Sequence, residues 1–403
     1  MEVSPQQSCN LKTQIGIYAV AILMMGAIGV SSSIGVFMTS YQIDQVTALG
    51  VVSVPCFVII FVTLVSGWLM SVMAKKTISI IGILLFIAGG TAPAFVDSWT
   101  AVIACRVIFG LGLGMVQAST AALVAENYEG TERDKVMGRM TSFQMLGCVL
   151  FSIIGGMLGS IVDMGYQAVF YVHLIGLVSL AGVVACVPYR RPERDSARRA
   201  GHDGGIKVTA GVVLWFVVAV VFFMGGQVYS NVINVLITEF GFGGPAEAGI
   251  SLAIFAFGGF FAGLLFGKIY EIARGLTLSI GLGVLAISYA LMAFASGLPE
   301  IYLGSLLCGL AFSICIPLIM SSISNAAVNP ASASFAVSLA TCGQSIGQSA
   351  SPYVISPIGG LLSQVTGLTV NQSSLVVAVA ICIVFAAAFV FVGFGRGRKP
   401  QTR

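Results

Sequence analysis

Blocks of about 20 apolar residues recur from one end of the chain to the other, and a helix needs about that length to cross the hydrocarbon of a bilayer. Twelve such blocks lie near 15–38, 46–70, 77–96, 100–125, 138–161, 166–187, 208–237, 247–269, 276–296, 300–324, 333–357 and 374–395. A water-soluble alternative fails on charge. Only 8% of the 403 residues are charged, where a soluble domain carries about a quarter and needs them to cover its surface. The chain is therefore expected to be an all-α membrane protein of 12 transmembrane helices. The mostly polar residues before the first block, and the length of that block, predict no cleaved signal.

The basic residues test the count. With the N-terminus inside, the inner segments hold Lys12; Lys75 and Lys76; Arg133, Lys135 and Arg139; the run Arg190 to Lys207; Lys268 and Arg274; and the tail from Arg396. That accounts for every Lys and Arg except Arg106, while the outer loops carry only Asp44, Asp97, Asp163, Glu239, Glu247 and Glu300. A miscounted span would scramble this separation. The expected location is the cytoplasmic membrane, multi-pass, with both termini cytoplasmic. The formal charge of +4 follows from the same bias and implies no nucleic-acid partner.

Catalytic and metal chemistry find little support. Eight of the nine cysteines lie inside spans without paired spacing, as small apolar residues do. Of two histidines, His202 falls in a charged inner loop and His173 inside the sixth span, where a hydrogen-bonded structural role is the expectation. No phosphate loop, zinc-ligand cluster or nucleophile–base set is present, so neither an enzyme nor a cofactor or metal is expected.

The chain is also a repeat. The hydrophilic stretch 188–207 divides the spans six and six, giving halves 1–187 and 208–403. Sliding one half over the other by about 199 residues sets "RVIFGLGLG" from Arg106 on "SLLCGLAFS" from Ser305, so Gly110 meets Gly309. Similar shifts pair Gly26 with Gly225, Ser31 with Ser230, Gly67 with Gly263, Gln144 with Gln344 and Gly147 with Gly347.

Two six-helix halves joined by a basic inner loop resemble the major facilitator superfamily, and local motifs do so too. "RVIFGLG" is similar to the family's fourth-helix pattern, and "GWLMSVMAKK" to its second-to-third loop signature through Gly67, Leu69, Lys75 and Lys76. Ser71 stands where the family has an Asp, and Ala74 replaces a Gly. "NYEGTERDKVMG" resembles the fourth-to-fifth loop through Arg133 and Gly138, and "GCVLFSIIGG" the antiporter pattern of the fifth helix through Gly147, Gly155 and Gly156. The resemblance implies alternating access, a central path lined by helices one, four, seven and ten, and a contribution from helix eleven. It makes Gly67, Ser71, Lys75, Lys76, Arg133 and Gly147 candidates for conformational control. With Ser71 in place of the Asp, the latch of the outward-open state should be weak and the inward-open state favoured.

Arg106 lies about seven residues into the fourth span, roughly 9 Å deep at 1.5 Å per residue. Its glycine neighbours recur as small residues in the tenth span and are packing. Its charge does not recur, and an intramembrane guanidinium needs a reason. It either meets substrate or braces the helix through backbone carbonyls. Polar stripes mark a path elsewhere: Gln227, Ser230, Asn231 and Asn234 in the seventh span, and Thr341, Gln344, Ser345 and Gln348 in the eleventh, fall at i, i+3, i+4 and i+7. Gln117 returns to nearly the face of Arg106, and Ser31 joins the candidate site. Pro317, Pro352 and Pro357 are candidate kinks. No Asp or Glu lies at mid-depth.

A lone cation among amides and hydroxyls suits a small organic anion, a zwitterion or a neutral polar solute. The expected protein is a secondary transporter, acting as a monomer on a small-molecule substrate with protons or a counter-substrate. Export of amphipathic drugs or metabolites is the rival reading, and a non-transporting sensor the minor one.

Overall fold

A computed structural model describes residues 11–128, 130–190, 208–273, 276–326 and 330–396. These residues form helices and no strand. In chain order α1 runs Leu11–Tyr41, α2 Gly50–Val72, α3 Lys75–Thr91, α4 Trp99–Asn127 and α5 Gly130–Gly159. Then α6 joins a 3₁₀ run, Val162–Ile175, to the helix Gly176–Cys186. The second set is α7 Ala210–Glu239, α8 Pro245–Ala273, α9 Thr277–Ala293, α10 Leu298–Asn325, α11 Pro330–Thr366 and α12 Val370–Arg396. Among the described residues nine helices are long and apolar enough to cross a membrane, and Gly50–Ser66 and Thr277–Ala293 are shorter apolar ones. The remaining long helix, α11, is rich in Ser and Gln over its central turns, and that composition lowers its hydropathy.

Side chains sort into separate cores. One cluster draws on Ile17 to Val187 and packs α1, α3, α4, α5 and α6 together. Another draws on Val212 to Cys382 in α7–α12. A third, around Val30, Phe37, Leu49, Val102 and Phe170, also takes in Val235 of α7 and so touches both sets. The two sets meet along α2 with α11, α5 with α8, and α1 with α7. The internal repeat equates α2 with α8 and α5 with α11, so the first two seams are one contact made twice.

The ends of the bundle differ in charge. Asp44, Asp97, Glu239, Glu247 and Glu300 sit at one end, and Lys75, Lys76, Arg139 and Arg190 at the other. At the acidic end Asp44 caps the short helix Gln45–Ala48, accepting from the Thr47 amide at 3.1 Å and its hydroxyl at 2.5 Å. These bonds hold the Asp44 carboxyl below its usual range.

Candidate functional site

Between the two sets of helices lies a cavity of about 540 Å³, inside the range that holds a drug-sized ligand. Its lining comes from α1, α2, α4, α5, α7, α8, α10 and α11. On α1 the lining coincides with a break in helix type, because Gly26–Ser33 is a 3₁₀ run. The sequence GAIGVSSS permits it: two glycines let neighbours approach, and small serines compete locally for backbone groups. Stretches of this kind inside a helix often mark a hinge.

Five glutamines line the cavity: Gln117 on α4, Gln144 on α5, Gln227 on α7, and Gln344 and Gln348 on α11. Ser31, Thr63, Ser66, Ser230, Ser313 and Thr341 add hydroxyls, and methionines, phenylalanines and isoleucines fill the rest. Among the described residues none of the lining is charged. Gln227 Nε2 donates to Ser230 Oγ at 2.6 Å, and Cys56 Sγ lies 3.8 Å from Gln348 Oε1. Among the described residues the buried Ser31 hydroxyl meets no hydrogen-bond partner, and Gln117, Gln144 and Gln344 line the same space. An amide offers two donors and an acceptor without charge. The wall can therefore satisfy a neutral solute's polar groups while its apolar residues cover the remainder.

Of the residues expected at the site, Ser31, Gln117, Gln227, Ser230, Gln344 and Gln348 line the cavity. Three do not. Asn231 is buried and donates from Nδ2 to Ser351 Oγ at 3.2 Å, tying α7 to α11. Asn234, one turn nearer the acidic end, crosses to α1: its Oδ1 accepts from Gly35 N at 2.6 Å and its Nδ2 donates to Ser32 O. Arg106 is fully buried within the first helix set. Its Nη1 lies 3.3 Å from His173 Nε2, and its guanidinium carbon sits 4.8 Å and 5.1 Å from the Phe109 and Phe170 ring centres. Among the described residues Nε and Nη2 have no partner. The cation expected at the lining thus packs inside the first helix set and is not among the described lining residues. Gln144, Thr63, Ser66 and Ser313 were not foreseen, although the repeat that pairs Gln144 with Gln344 pointed to the first.

The residues expected to control conformation are spread along the bundle. Lys75 Nζ bonds Glu126 Oε1 at 3.0 Å, and Lys76 Nζ donates to the carbonyls of Val184 at 2.9 Å and Val187 at 2.6 Å. These contacts clamp α3 to α4 and α6 at the basic end. Gly147 packs α5 on α1, where a Cβ would strike the Ile22 carbonyl. Pro317 and Pro352 lie inside α10 and α11, whose helical runs continue past them. The surroundings of Gly67 and the side chains of Ser71 and Arg133 lie outside the described residues.

Hydrogen bonds across the seam gather toward the acidic end. Besides Asn234, Gln45 Nε2 donates to Asn371 Oδ1 at 2.6 Å, and Ser53 and Tyr353 hydroxyls lie 3.5 Å apart; within the second half Asn371 Nδ2 donates in turn to Glu239 Oε1 at 2.9 Å. The cavity lining instead continues toward the basic end, to Ser66 and Met70 on α2 and Ala121 on α4.

The sequence pattern of the Major Facilitator Superfamily matches residues 15–352. No curated protein sequence matches the chain. Among solved structures, the nucleoside transporter NupG superposes with a TM-score of 0.74 at 13% identity, covering 96% of this chain and 99% of that one. A bacterial homolog to the human lysosomal transporter Spinster, inward-facing and unoccupied, gives 0.73 at 16%, covering 100% of both. A D-xylose–proton symporter gives 0.69 at 15%, covering 94% and 96%. At these identities the likeness is one of fold.

Proposed function

The chain belongs to the Major Facilitator Superfamily, and from that premise we propose that it carries a small, uncharged, amphipathic solute across the cytoplasmic membrane by exposing this cavity alternately to the two sides. The observation that carries the reading is the lining itself: among the described residues it holds five glutamines, several hydroxyls and no charged side chain. Arg106 is the ground for expecting an organic anion or zwitterion. With its guanidinium buried between Phe109, Phe170 and His173, an anion in the cavity would meet no counter-charge and would lose its hydration uncompensated. A neutral solute keeps its polar groups bonded to the amides and its apolar part against Met24, Phe223 and Phe312.

The basic end faces the cytoplasm in this reading, by the positive-inside rule. Seam bonds at the acidic end then correspond to an inward-open state. The working unit is a monomer of two halves, 1–187 and 208–403, joined through 188–207. Among the described lining residues no carboxylate stands ready to take up a proton, which favours exchange against a counter-substrate.

Counterflow of a labelled solute in proteoliposomes, combined with ligand-induced stabilisation, tests the proposal. Neutral amphipathic solutes should stabilise the protein and exchange. Gln144→Leu and Gln344→Leu should each remove one hydrogen bond, about 1 kcal/mol or about fivefold in affinity. Stabilisation by anions alone, indifferent to both substitutions, would overturn it, and binding without counterflow would point to a sensor.

A further inference from the structure

A second cavity, of about 300 Å³, lies on the seam between α5 and α8. Phe143, Leu146 and Val149 form one wall, and Phe257 and Phe260 the other. Among the described residues it carries no charged side chain, and Leu146 and Phe257 are exposed large apolar residues, 44% and 55% accessible. In a chain that spans a membrane, such a face meets acyl chains. Many outward faces do so; this one also reaches the central cavity. Met145 lines both this groove and the central cavity.

The partition between the two spaces is thin. A Cβ built on Gly259, which lines the central cavity, would lie 3.5 Å from Met145 Sδ. On this side, then, the wall is a flexible thioether leaning toward a residue with no side chain. Met has three freely rotating bonds and adapts to irregular gaps, so it can swing aside without moving a helix. Nearer the acidic end the two helices are pinned. A Cβ on Gly156 would stand 2.7 Å from the Pro245 carbonyl and 3.0 Å from Gly249 Cα. The seam is thus closed by backbone contact at one end, while at mid-depth the movable Met145 side chain stands between groove and cavity.

We propose that the α5–α8 groove is a lateral entrance through which the apolar part of a neutral amphiphile passes from the bilayer into the central cavity, with Met145 as its gate. The occupant is an acyl-like chain from the surrounding membrane. This rests on the amphipathic-solute reading and adds the side from which that solute arrives.

A long-chain fatty alcohol carrying a mid-chain diazirine, dissolved in the bilayer of proteoliposomes, is the probe. After irradiation, adducts should be richer at Leu146 and Phe257 than at Leu177 and Val178 of α6, which are 52% and 73% accessible, and should extend to Ile28 and Phe312 in the cavity. Met145→Trp should keep the groove adducts and lose those in the cavity, whereas Met145→Ala should increase the cavity adducts. Groove labelling no richer than on α6 overturns the proposal. So do cavity adducts that are absent in the parent or indifferent to Met145→Ala, a variant that needs no extra space to fold. Counterflow of a neutral solute without cavity labelling removes the lateral route and leaves the transport reading standing. Cavity labelling without stabilisation by any neutral solute supports the route and removes that reading.

Discussion

Arg106 shows what a single residue can and cannot disclose from sequence. Its oddity was legible, because the repeat sets Ser305 at the equivalent position. There the second half solves burial differently, with Ser305 Oγ 2.6 Å from Ser251 Oγ, which in turn lies 3.0 Å from the Tyr229 hydroxyl. Its direction was not legible. Gln117 shares nearly its helical face but lies about 16 Å further along α4, where the halves separate and leave space. A guanidinium only donates, so His173 Nε2 must accept, and Nδ1–H donates to Phe170 O at 2.9 Å. Neutral His173 is therefore fixed as one tautomer between a cation and a carbonyl. Arg106→Gln shortens the side chain, forfeits both ring contacts and leaves a void at a fully buried position. Stability should fall by on the order of 2 kcal/mol, read as a lower melting temperature in detergent, while neutral solutes bind the folded variant as before. A variant of parental stability that has lost solute binding would return Arg106 to the binding site.

At the scale of helices, hydropathy located the elements and missed their character. Blocks expected at 247–269 and 333–357 became Pro245–Ala273 and Pro330–Thr366, since polar first and last turns continue a helix that apolar counting cuts short. The 3₁₀ runs Gly26–Ser33 and Val162–Ile175 were invisible, because apolarity reports burial and not hydrogen-bond register. Glycines were legible as packing residues, but not which of them are indispensable. On α8 the answer differs within four turns. A Cβ on Gly249 would stand 2.5 Å from the Ser152 carbonyl and 3.0 Å from Gly156 Cα, whereas one on Gly263 meets nothing within 4 Å among the described residues. Backbone cannot rotate away, so Gly249→Ala must push α8 from α5 and should cost about 1–3 kcal/mol. Gly263→Ala on the same helix should be neutral or stabilising by up to about 1 kcal/mol, through lower backbone entropy in the unfolded chain. Paired thermal melts check this; equal effects would mean that the α5–α8 seam is not under backbone contact.

For the whole molecule, charge bias and the repeat made the two-part architecture legible, while the individual bonds that close the seam were not. Hydrogen bonds between halves pair residues far apart in sequence, and Asn234 illustrates why a polar stripe misleads. Its spacing from Gln227 and Ser230 put it on the cavity face, yet the bundle closes before that depth is reached. There the side chain, 1% exposed, becomes a clasp: Oδ1 accepts from Gly35 N at 2.6 Å, and Nδ2 donates to the Ser32 carbonyl, at the end of the 3₁₀ run of α1. Neither bond survives if α1 and α7 part, so both weigh only on the state closed at the acidic end. At about 1 kcal/mol net each, their loss in Asn234→Ala should move the balance between the two states by about thirtyfold toward acidic-end opening. Spin labels at Thr39 and Val370, exposed at that end on opposite halves, should report one short separation in the parent and a second, longer one in the variant. The basic-end pair Lys75–Glu126, contained within the first half, should not respond. If Asn234→Ala leaves the Thr39–Val370 distribution unchanged while the protein stays folded, the clasp carries no conformational bias, and closure rests on the Gly156–Gly249 contact and the Gln45–Asn371–Glu239 chain instead.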